Sequence, residues 1–273
     1  METIKIGILG LGTVGSGVIR ILRDHAEKIS NITGRRLEVK TVVVHNLKKK
    51  RSVDLTGINL TDNADDVLCD DEIQMVVEVM GTVNIAKEYI ERALKAGKHV
   101  ITANKDLIAT HGPELISLAK EHGCDLCYEA SVAGGIPILR TIVNSFAADR
   151  IIEVRGIVNG TTNYIMTQMN KNGASYEDAL ESAQELGFAE ADPTNDVDGI
   201  DAAYKMIILT QFAFGKDVTM DQVKVKGIRG IQKADIAEAK RLGYVIKLLG
   251  IAKLVNGHID VSVGPVLVPQ TQP

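Results

Sequence analysis

The chain has 273 residues, of which 45% are hydrophobic and 24% are charged, a composition typical of a globular protein with two domains. Its formal net charge of −4 and its lack of tryptophan disfavour nucleic-acid partners, which need basic surfaces and aromatic stacking platforms. No apolar run reaches the ~20 residues of a membrane span and the N-terminus has no signal-peptide pattern, so we expect a cytoplasmic protein with no membrane partner.

The first predicted elements are a strand, a glycine-rich turn and an amphipathic helix, in the segment IKIGILGLGTVGSGVIRILRD. Gly10, Gly12 and Gly15 fit G-x-G-x-x-G in the strand-turn-helix context that this pattern requires. The glycines allow a tight turn, close approach of a pyrophosphate and close helix-strand packing, and the helix start at Thr13 and Val14 supplies free N–H groups. The segment predicts a dinucleotide site, with a plain tight turn as the alternative.

The second predicted strand, LEVKTVVV, is followed by the basic loop HNLKKKR. An NAD site usually ends this strand with an acidic residue for the ribose 2′-hydroxyl, and this strand has none. Lys48, Lys49, Lys50 and Arg51 instead fall where a 2′-phosphate would lie. We therefore expect NADP as cofactor, with NAD and a merely solvated basic loop as the open alternatives.

The alternation of strands and helices then continues as in a doubly wound parallel sheet. IQMVVEVMG, KHVITANK and CDLCYEASV predict strands, and NIAKEYIERALKAG and GPELISLAKEHG predict helices. Ligands of such sheets bind beyond the carboxyl ends of the strands, where Lys105 falls, so Lys105 is a candidate active-site residue. Cys124 and Cys127 lack a second ligand pair nearby, and we interpret them as structural thiols.

An acidic segment, GFAEADPTNDVDGIDAAYK, runs directly into the apolar helix MIILTQFAF. An EF-hand calcium loop placed on Asp196 and Asp198 fails, because Thr194 and Lys205 occupy positions where acidic ligands are needed. A calcium loop is therefore excluded, which leaves a solvated loop or a polar pocket for a small charged substrate.

The helix that follows is apolar nearly all round, so it should be buried, and buried charges need partners. Asp201 and Lys205 are spaced i,i+4, and each can neutralise the other. Glu190 and Asp196 add carboxylates that Lys205 alone cannot neutralise and that would suit the ammonium group of an amino-acid substrate. A buried ion pair that only anchors the helix is the alternative.

The second half also contains a strand, a polar turn and a helix in IVNGTTNYIMTQM, where Gly160, Thr161 and Thr162 offer N–H groups to a substrate carboxylate, or simply start a capped helix. RIIEVRGIV and HIDVSVGPVLV predict strands of a second sheet, against which we expect the acidic helix and KADIAEAKRLGYVIKLLG to pack. The predicted organisation is a Rossmann-type dinucleotide-binding domain over residues 1–135 and an α+β substrate-binding and dimerisation domain over residues 136–273.

Five blocks of the sequence resemble homoserine dehydrogenases, in that family's order: GLGTVGSG, TANKDL, YEASVAGGIPI, GIVNGTTNYI and GFAEADPTNDVDGIDAAYK. The resemblance implies NAD(P)-dependent interconversion of L-homoserine and L-aspartate 4-semialdehyde, in the biosynthesis of threonine and methionine. It also implies a homodimer formed through the second sheet. Because the family continues beyond VSVGPVLVPQTQP, the resemblance implies that the family's usual C-terminal segment is missing here.

The resemblance further implies roles for individual residues. Lys205 corresponds to the proton donor and Lys105 to a second lysine beside nicotinamide and substrate, although the sequence leaves an exchange of these roles open. Gly187 and Glu190 would border the nicotinamide. The amino-acid contacts of the family fall on Glu190, Asp196, Asp201 and Lys205. A monovalent cation, usually sodium, would be held largely by carbonyl oxygens of Glu129, Val132, Gly134 and Ile136.

Overall fold

The computed structural model describes residues 1–272, and the chain divides into two compact units, residues 1–134 and residues 135 onward. Within residues 1–272, no helix combines the length and the apolar character needed to cross a bilayer.

The first unit is built around a six-stranded sheet. Its strands are β1 (Thr3–Leu9), β2 (Arg36–Val43), β3 (Asn59–Thr61), β4 (Ile73–Glu78), β5 (His99–Thr102) and β6 (Leu126–Cys127). The helices are α1 (Thr13–Asp24), α2 (Ala26–Thr33), α3 (Asp65–Leu68), α4 (Asn84–Lys95) and α5 (Lys105–Glu121). All neighbouring strands are parallel, in the order β3-β2-β1-β4-β5-β6. This order is that of the dinucleotide-binding folds and confirms the predicted doubly wound α/β class.

Two apolar clusters, one on each face of this sheet, form the core of the first unit. Successive strand residues point to opposite faces. Ile8 accordingly packs in a cluster with Ile19 of α1, whereas Leu9 packs in a cluster with Ile90 of α4 and Leu107 of α5. All five side chains are fully buried, and each contributes roughly 1.5–3 kcal/mol through removal from water.

The last predicted strand of this sheet is much shorter than expected. Within CDLCYEASV, strand structure is restricted to β6, which pairs with β5 through Leu126 and Cys127, and a 3₁₀ turn follows over Glu129–Ser131. Left-handed backbone at Ala133 (φ +50°) and Gly135 (φ +84°) then bends the chain out of the sheet. The sequence prediction was wrong in length here, because the apolar pattern does not reveal where pairing partners end.

The second unit is a four-stranded mixed sheet with helices. The strands are β7 (Glu153–Gly156), β8 (Lys224–Val225), β9 (Tyr244–Val255) and β10 (His258–Pro269), in the order β7-β9-β10-β8. The helices are α6 (Ile138–Arg140, continued by a π turn over Thr141–Ser145), α7 (Gly160–Asn172), α8 (Tyr176–Glu185), α9 (Thr194–Val197), α10 (Ile200–Phe214) and α11 (Lys233–Arg241). A 3₁₀ turn spans Met220–Gln222. The unit is of the α+β class that the sequence predicts.

The segment KADIAEAKRLGYVIKLLG contains one helix and part of the sheet itself. Helix α11 ends at Arg241, Gly243 adopts φ +82°, and YVIKLLG then forms the first half of β9. The expectation that this whole segment packs against the sheet was therefore wrong for its second half. Asn256 and Gly257, both with positive φ, form the two-residue turn between β9 and β10, as hairpins of this length prefer.

Helix α10 packs against β9 at a glycine. A Cβ added at Gly250 would lie 2.4 Å from the sulfur atom of Met206, so the strand can receive this helix closely because a side chain is missing there. The helix is buried along most of its length, as its apolar composition predicts. Helix α10 carries Asp201 and Lys205, so this close packing fixes the distance of both residues from the sheet.

Candidate active site

The glycine-rich turn between β1 and α1 has the backbone geometry of a dinucleotide site. Gly10 has φ +101°, and a Cβ there would lie 2.7 Å from the carbonyl oxygen of Val79. A Cβ at Gly15 would lie 2.3 Å from the carbonyl oxygen of Gly10, so α1 approaches β1 because Gly15 lacks a side chain. A Cβ at Gly12 would meet no atom within 4 Å, which leaves room for a ligand beside the backbone.

Helix α1 begins directly after this open space. Gly12 is its N-cap residue, and Thr13 and Val14 are its first two residues, both exposed. The first N–H groups of a helix have no partner within the helix and lie at the positive end of its dipole, where phosphate groups are stabilised. The residues present therefore fit the pyrophosphate of a dinucleotide.

The basic loop after β2 is organised by one of its own residues. Arg51 donates from Nη1 to the carbonyl oxygen of Lys49 and from Nη2 to that of Asn46, each at 2.7 Å. The side chains of Lys48, Lys49 and Lys50 are exposed. Arg51 thus shapes the loop, and the three lysines supply its exposed positive charge.

A buried carboxylate connects the carboxyl ends of β4 and β5. Glu78 is fully buried, and its carboxylate accepts from the N–H of Met80 at 2.8 Å and from the hydroxyl of Thr102 at 2.6 Å. The Thr102 oxygen accepts in turn from the N–H of Asn104 at 3.0 Å. Glu78 was not singled out from the sequence, although an acid within an apolar strand was a signal.

Asn104 and Lys105 lie at this edge of the sheet, as the sequence predicts. The Asn104 side chain caps α5 by accepting from the N–H of Leu107 at 3.2 Å, and it donates to the carbonyl oxygen of Thr82 at 2.7 Å. Lys105 is the first residue of α5, and its ammonium lies 3.2 Å from the carboxylate of Asp106. The backbone that carries Lys105 is therefore fixed by contacts to both neighbouring segments.

The residues that the resemblance assigns to a cation lie where the first unit ends. Glu129 is the first residue of the 3₁₀ turn, and Val132, which is buried, follows that turn. Gly134 is the last residue of the first unit, Ile136 is the second residue of the second unit, and both are exposed. The left-handed residues between them turn successive carbonyl groups in different directions. Such a segment of carbonyls next to one carboxylate has the oxygen chemistry that hard cations prefer.

The second unit contains the ion pair that the i,i+4 spacing predicts. Lys205 Nζ donates to Asp201 Oδ2 at 2.6 Å and to the carbonyl oxygen of Val158 at 2.8 Å. The side chains are 19% and 11% exposed, respectively. A lysine ammonium has three N–H groups. Two have acceptors among residues 1–272, so the third remains for a ligand.

Asn159 brings a second carboxylate to this pair. Its amide nitrogen donates to Asp196 Oδ1 at 2.7 Å and to Asp201 Oδ2 at 2.8 Å. Asp196 lies on α9, Asp201 on α10, and Asn159 is the N-cap residue of α7. Three of the predicted site residues, Asp196, Asp201 and Lys205, are therefore brought together through a residue that the sequence analysis did not name.

The start of α7 offers fewer groups to an anion than the sequence suggested. The N–H of Thr162 donates to the side chain of Asn159 at 2.8 Å, so it serves the helix cap. The hydroxyl of Thr161 donates to the carbonyl oxygen of Phe188 at 2.6 Å and ties α7 to the loop after α8. The N–H groups of Gly160 and Thr161 remain as candidates for a substrate carboxylate.

The loop after α8 carries two further predicted site residues. Gly187 has φ +75° and lies just beyond the C-cap of α8, and Glu190 is exposed, with its carbonyl oxygen accepting from Gln184 at 3.0 Å. The hydrogen bonds from Thr194 lower the pKa of Asp192 below its ordinary value. In the described chain the carboxylate of Glu190 does not join the hydrogen-bonded group formed by Asp196, Asp201 and Lys205.

The α9 turn, which carries Asp196, is clamped by the segment before α11. Arg229 donates to Asp198 Oδ1 at 2.6 Å and to the hydroxyl of Thr194 at 3.1 Å, and the bond to Asp198 raises the pKa of Arg229. The N–H of Ile228 donates to the carbonyl oxygen of Val197 at 2.8 Å. These contacts fix the turn that carries Asp196.

A parallel sheet in this strand order, an open glycine turn at a helix N-terminus, and a second unit with a lysine-carboxylate site define a two-unit protein of the dinucleotide-binding class. Comparison with family models supports this class and identifies one family within it. The model described as "Homoserine dehydrogenase, NAD binding domain" matches residues 10–129, and the model described as "Homoserine dehydrogenase" matches residues 137–273. The chain belongs to the homoserine dehydrogenase family.

Individual relatives give the same result over the whole chain. A homoserine dehydrogenase of Bacillus subtilis is 52% identical over 100% of this chain and 63% of its own length. The crystal structure of a homoserine dehydrogenase from Thiobacillus denitrificans is 43% identical with a TM-score of 0.96, over 99% of this chain and 63% of that one. A hyperthermophilic archaeal homoserine dehydrogenase in complex with NADPH is 26% identical with a TM-score of 0.79, over 100% of this chain and 84% of that one. The chain thus spans less than two thirds of the length of the first two relatives.

Proposed function

We propose that the protein catalyses the NAD(P)-dependent interconversion of L-homoserine and L-aspartate 4-semialdehyde, a step in threonine and methionine biosynthesis. Membership of the family supports the reaction class. The observation that carries the assignment is the group of Lys205, Asp201, Asn159 and Asp196, which offers a proton donor beside two carboxylates. An amino-acid aldehyde needs this combination, because it carries an ammonium group next to the reacting carbonyl.

Lys205 is the residue best suited to handle the proton of this reaction. When bound, the reduced nicotinamide supplies a hydride to the aldehyde carbon. Negative charge then develops on the aldehyde oxygen, and a positive N–H donor stabilises it and delivers the proton. Lys205 has one N–H group beyond those bonded to Asp201 and Val158. We assign Lys205 as the acid and Lys105 as the second positive group near the nicotinamide.

The carboxylates would hold the amino-acid part of the substrate. Asp196, Asp201 and the exposed Glu190 are acceptors for its ammonium and hydroxyl groups, and the N–H groups at the start of α7 are donors for its carboxylate. Gly187 would border the nicotinamide. A panel of aldehydes tests this specificity. NADPH consumption should be fastest with L-aspartate 4-semialdehyde and should fall at least tenfold with butanal, which lacks both charged groups. Equal rates with the two aldehydes would contradict the proposed recognition.

We propose NADP as the preferred cofactor. Gly10, Gly12, Thr13, Val14 and Gly15 would hold the pyrophosphate, and the exposed lysines of the basic loop would attract the 2′-phosphate. The archaeal relative solved with NADPH supports this preference. Replacing Lys48, Lys49 and Lys50 together by glutamine should weaken NADPH binding about tenfold or more and leave NADH binding unchanged, measured by calorimetry. Equal losses for both cofactors would contradict the assignment.

We further propose that Glu129, Val132, Gly134 and Ile136 bind a monovalent cation, with Na⁺ as the first choice. One carboxylate and a bent run of carbonyl groups favour oxygen coordination of a hard ion. Melting temperatures in sodium chloride should exceed those in tetramethylammonium chloride at equal ionic strength. Glu129→Gln should reduce this difference, whereas a difference that persists in this variant would argue against the site.

We propose a homodimer formed through the second sheet. Its residues Leu249, Ile251, Gly264 and Val266 line an open cleft of about 360 Å³ next to β8, and a partly apolar sheet face of this kind suits a second copy. Analytical ultracentrifugation of Ile251→Glu against the native chain tests this. We also propose a cytoplasmic location, because Cys69 and Cys124 form no disulfide, which is typical of a reducing compartment.

Gly227 provides a test of the α9 turn. A Cβ at this position would lie 2.3 Å from the carbonyl oxygen of Val197 and 2.6 Å from Cα of Asp198, both backbone atoms. Gly227→Ala should therefore displace the turn that carries Asp196, lower the free energy of unfolding by about 1–3 kcal/mol and weaken L-homoserine binding. The matched control is Gly230→Ala, since a Cβ there meets nothing within 4 Å. If the two variants behaved alike in calorimetry and in melting, the turn would not depend on this contact.

A further inference from the structure

Asn159 lies at the junction of three elements of the second unit and is only 5% exposed. Its side-chain oxygen accepts from the N–H and from the hydroxyl of Thr162, each at 2.8 Å. Its side-chain nitrogen donates to Asp196 at 2.7 Å and to Asp201 at 2.8 Å. The carboxamide therefore uses both of its donors and both acceptor positions, within a single buried group.

The orientation of this amide follows from the chemistry of its partners. A backbone N–H can only donate, so the atom facing Thr162 must be the oxygen. Ionised carboxylates can only accept, so the atom facing Asp196 and Asp201 must be the nitrogen. One side of Asn159 thus serves the helix cap, and the other side serves the candidate active site.

The two carboxylates that meet at Asn159 are also connected to the candidate proton donor. Asp201 Oδ2 receives both the amide N–H of Asn159 and the ammonium of Lys205 at 2.6 Å. Asp196 and Asp201 repel each other, and a neutral double donor between them offsets this repulsion without adding a charge that would compete with Lys205. The direction of the Lys205 ammonium therefore depends on where Asn159 holds Asp201.

We propose that Asn159 is a positioning residue for the reaction: its amide fixes Asp196 and Asp201 relative to each other and thereby directs the remaining N–H of Lys205 towards the substrate. This inference rests on the proposed function. The inference adds one requirement to that function: the N-cap residue of α7 must carry an amide, and another capping side chain is not sufficient.

The variant Asn159→Asp distinguishes the capping role of this side chain from its hydrogen bonds to the two carboxylates. Aspartate is as good an N-cap as asparagine, so the bond from the Thr162 N–H is kept. Both donors are replaced by an acceptor, and a third carboxylate then faces Asp196 and Asp201. We expect kcat to fall by about 100-fold, as for a misplaced catalytic group, while the Kd for NADPH stays within about twofold of the native value.

The pH profile distinguishes positioning from a structural defect. Among the contacts described for residues 1–272, the charged groups that face position 159 are Asp196 from α9 and Asp201 and Lys205 from α10. A third carboxylate beside Asp196 and Asp201 favours protonation of one carboxyl, which restores a donor between the others. The ratio of variant to native kcat should therefore rise as the pH is lowered. Asn159→Ser, which keeps a cap without a charge, should lose kcat without this acid recovery.

Ser175→Ala is the matched control. Ser175 caps α8 through the N–H of Asp178, so this variant loses a cap of the same kind whose hydrogen bonds, among residues 1–272, involve none of Asp196, Asp201 and Lys205. Its kcat should equal that of the native chain. A native kcat and a native pH profile in Asn159→Asp would overturn the proposal.

The proposal and the proposed function fail separately. If the native chain did not turn over at all, the function would fail, and the arrangement of Asn159 could still be tested by unfolding. Repulsion raises the carboxyl pKa values of the folded Asn159→Asp variant above their unfolded values, so its stability relative to the native chain should fall as the pH rises through that range. A stability difference that does not change with pH would overturn the arrangement itself.

Discussion

Replacing Lys205 by methionine is expected to lower kcat for L-aspartate 4-semialdehyde by about 10³-fold or more. The substitution keeps an unbranched side chain that is only one heavy atom shorter, but it removes the proton and the positive charge that the developing alkoxide needs. Loss of a general acid costs about 10²–10⁴-fold, and loss of an electrostatic donor costs about 10²–10³-fold. NADPH affinity, measured by fluorescence titration, should stay close to native because the glycine turn is unchanged.

This variant also leaves Asp201 without its cation. Removal of one partner from a buried ion pair lowers the free energy of unfolding by about 3–5 kcal/mol. Because Asn159 still donates a hydrogen bond to Asp201, we expect a loss at the lower end of this range. Lys205→Met combined with Asp201→Asn removes the unpaired charge and should recover most of the stability with no recovery of kcat. A Lys205→Met chain that folds, binds NADPH and turns over within tenfold of native would exclude Lys205 as the acid.

Replacing Gly12 by valine is expected to weaken NADPH binding at least 100-fold while the melting temperature stays near the native value. The added side chain meets no protein atom within 4 Å at its Cβ, and the backbone of Gly12 is extended with φ −89°. It therefore occupies the space through which a pyrophosphate would reach the N–H groups of α1. Calorimetric titration and thermal melting separate the two effects.

Two neighbouring glycines provide the controls for this result. Gly17→Ala lies on the same helix with nothing within 4 Å, so it should keep NADPH binding and gain about 0.5–1 kcal/mol of stability. Gly15→Val should lose stability and binding together, because its Cβ would lie 2.3 Å from the carbonyl oxygen of Gly10. Native NADPH affinity in Gly12→Val would show that the cofactor does not approach the backbone at this turn.

The sequence was informative wherever one local segment determines the outcome. The glycine turn and the ion pair between Asp201 and Lys205 each lie within a few residues, and spacing alone predicts both. The doubly wound parallel class of the first sheet also follows from the alternation of strands and helices. These features depend on steric freedom at glycine and on helix periodicity, which neighbouring residues largely decide.

The features that the sequence did not reveal depend on distant segments. Asn159 contacts Asp196 and Asp201 across 37 and 42 residues, and Glu78 contacts Thr102 across 24 residues. Spacing gives no information about such contacts. The first half of β9 was assigned wrongly for a related reason, since its role as a central strand depends on β7 and β10 on either side. An asparagine at a helix start was a usable signal, but it indicated the cap and not the carboxylates.

The proposed reaction is tested most directly by a single turnover with NADPH that carries deuterium at the transferred position of nicotinamide C4. The protein is mixed with this NADPH and L-aspartate 4-semialdehyde, and the product is analysed by mass spectrometry. We expect L-homoserine that carries one deuterium on its hydroxyl-bearing carbon, formed by the native chain and not by Lys205→Met. Binding of NADPH without labelled homoserine would contradict the proposed reaction.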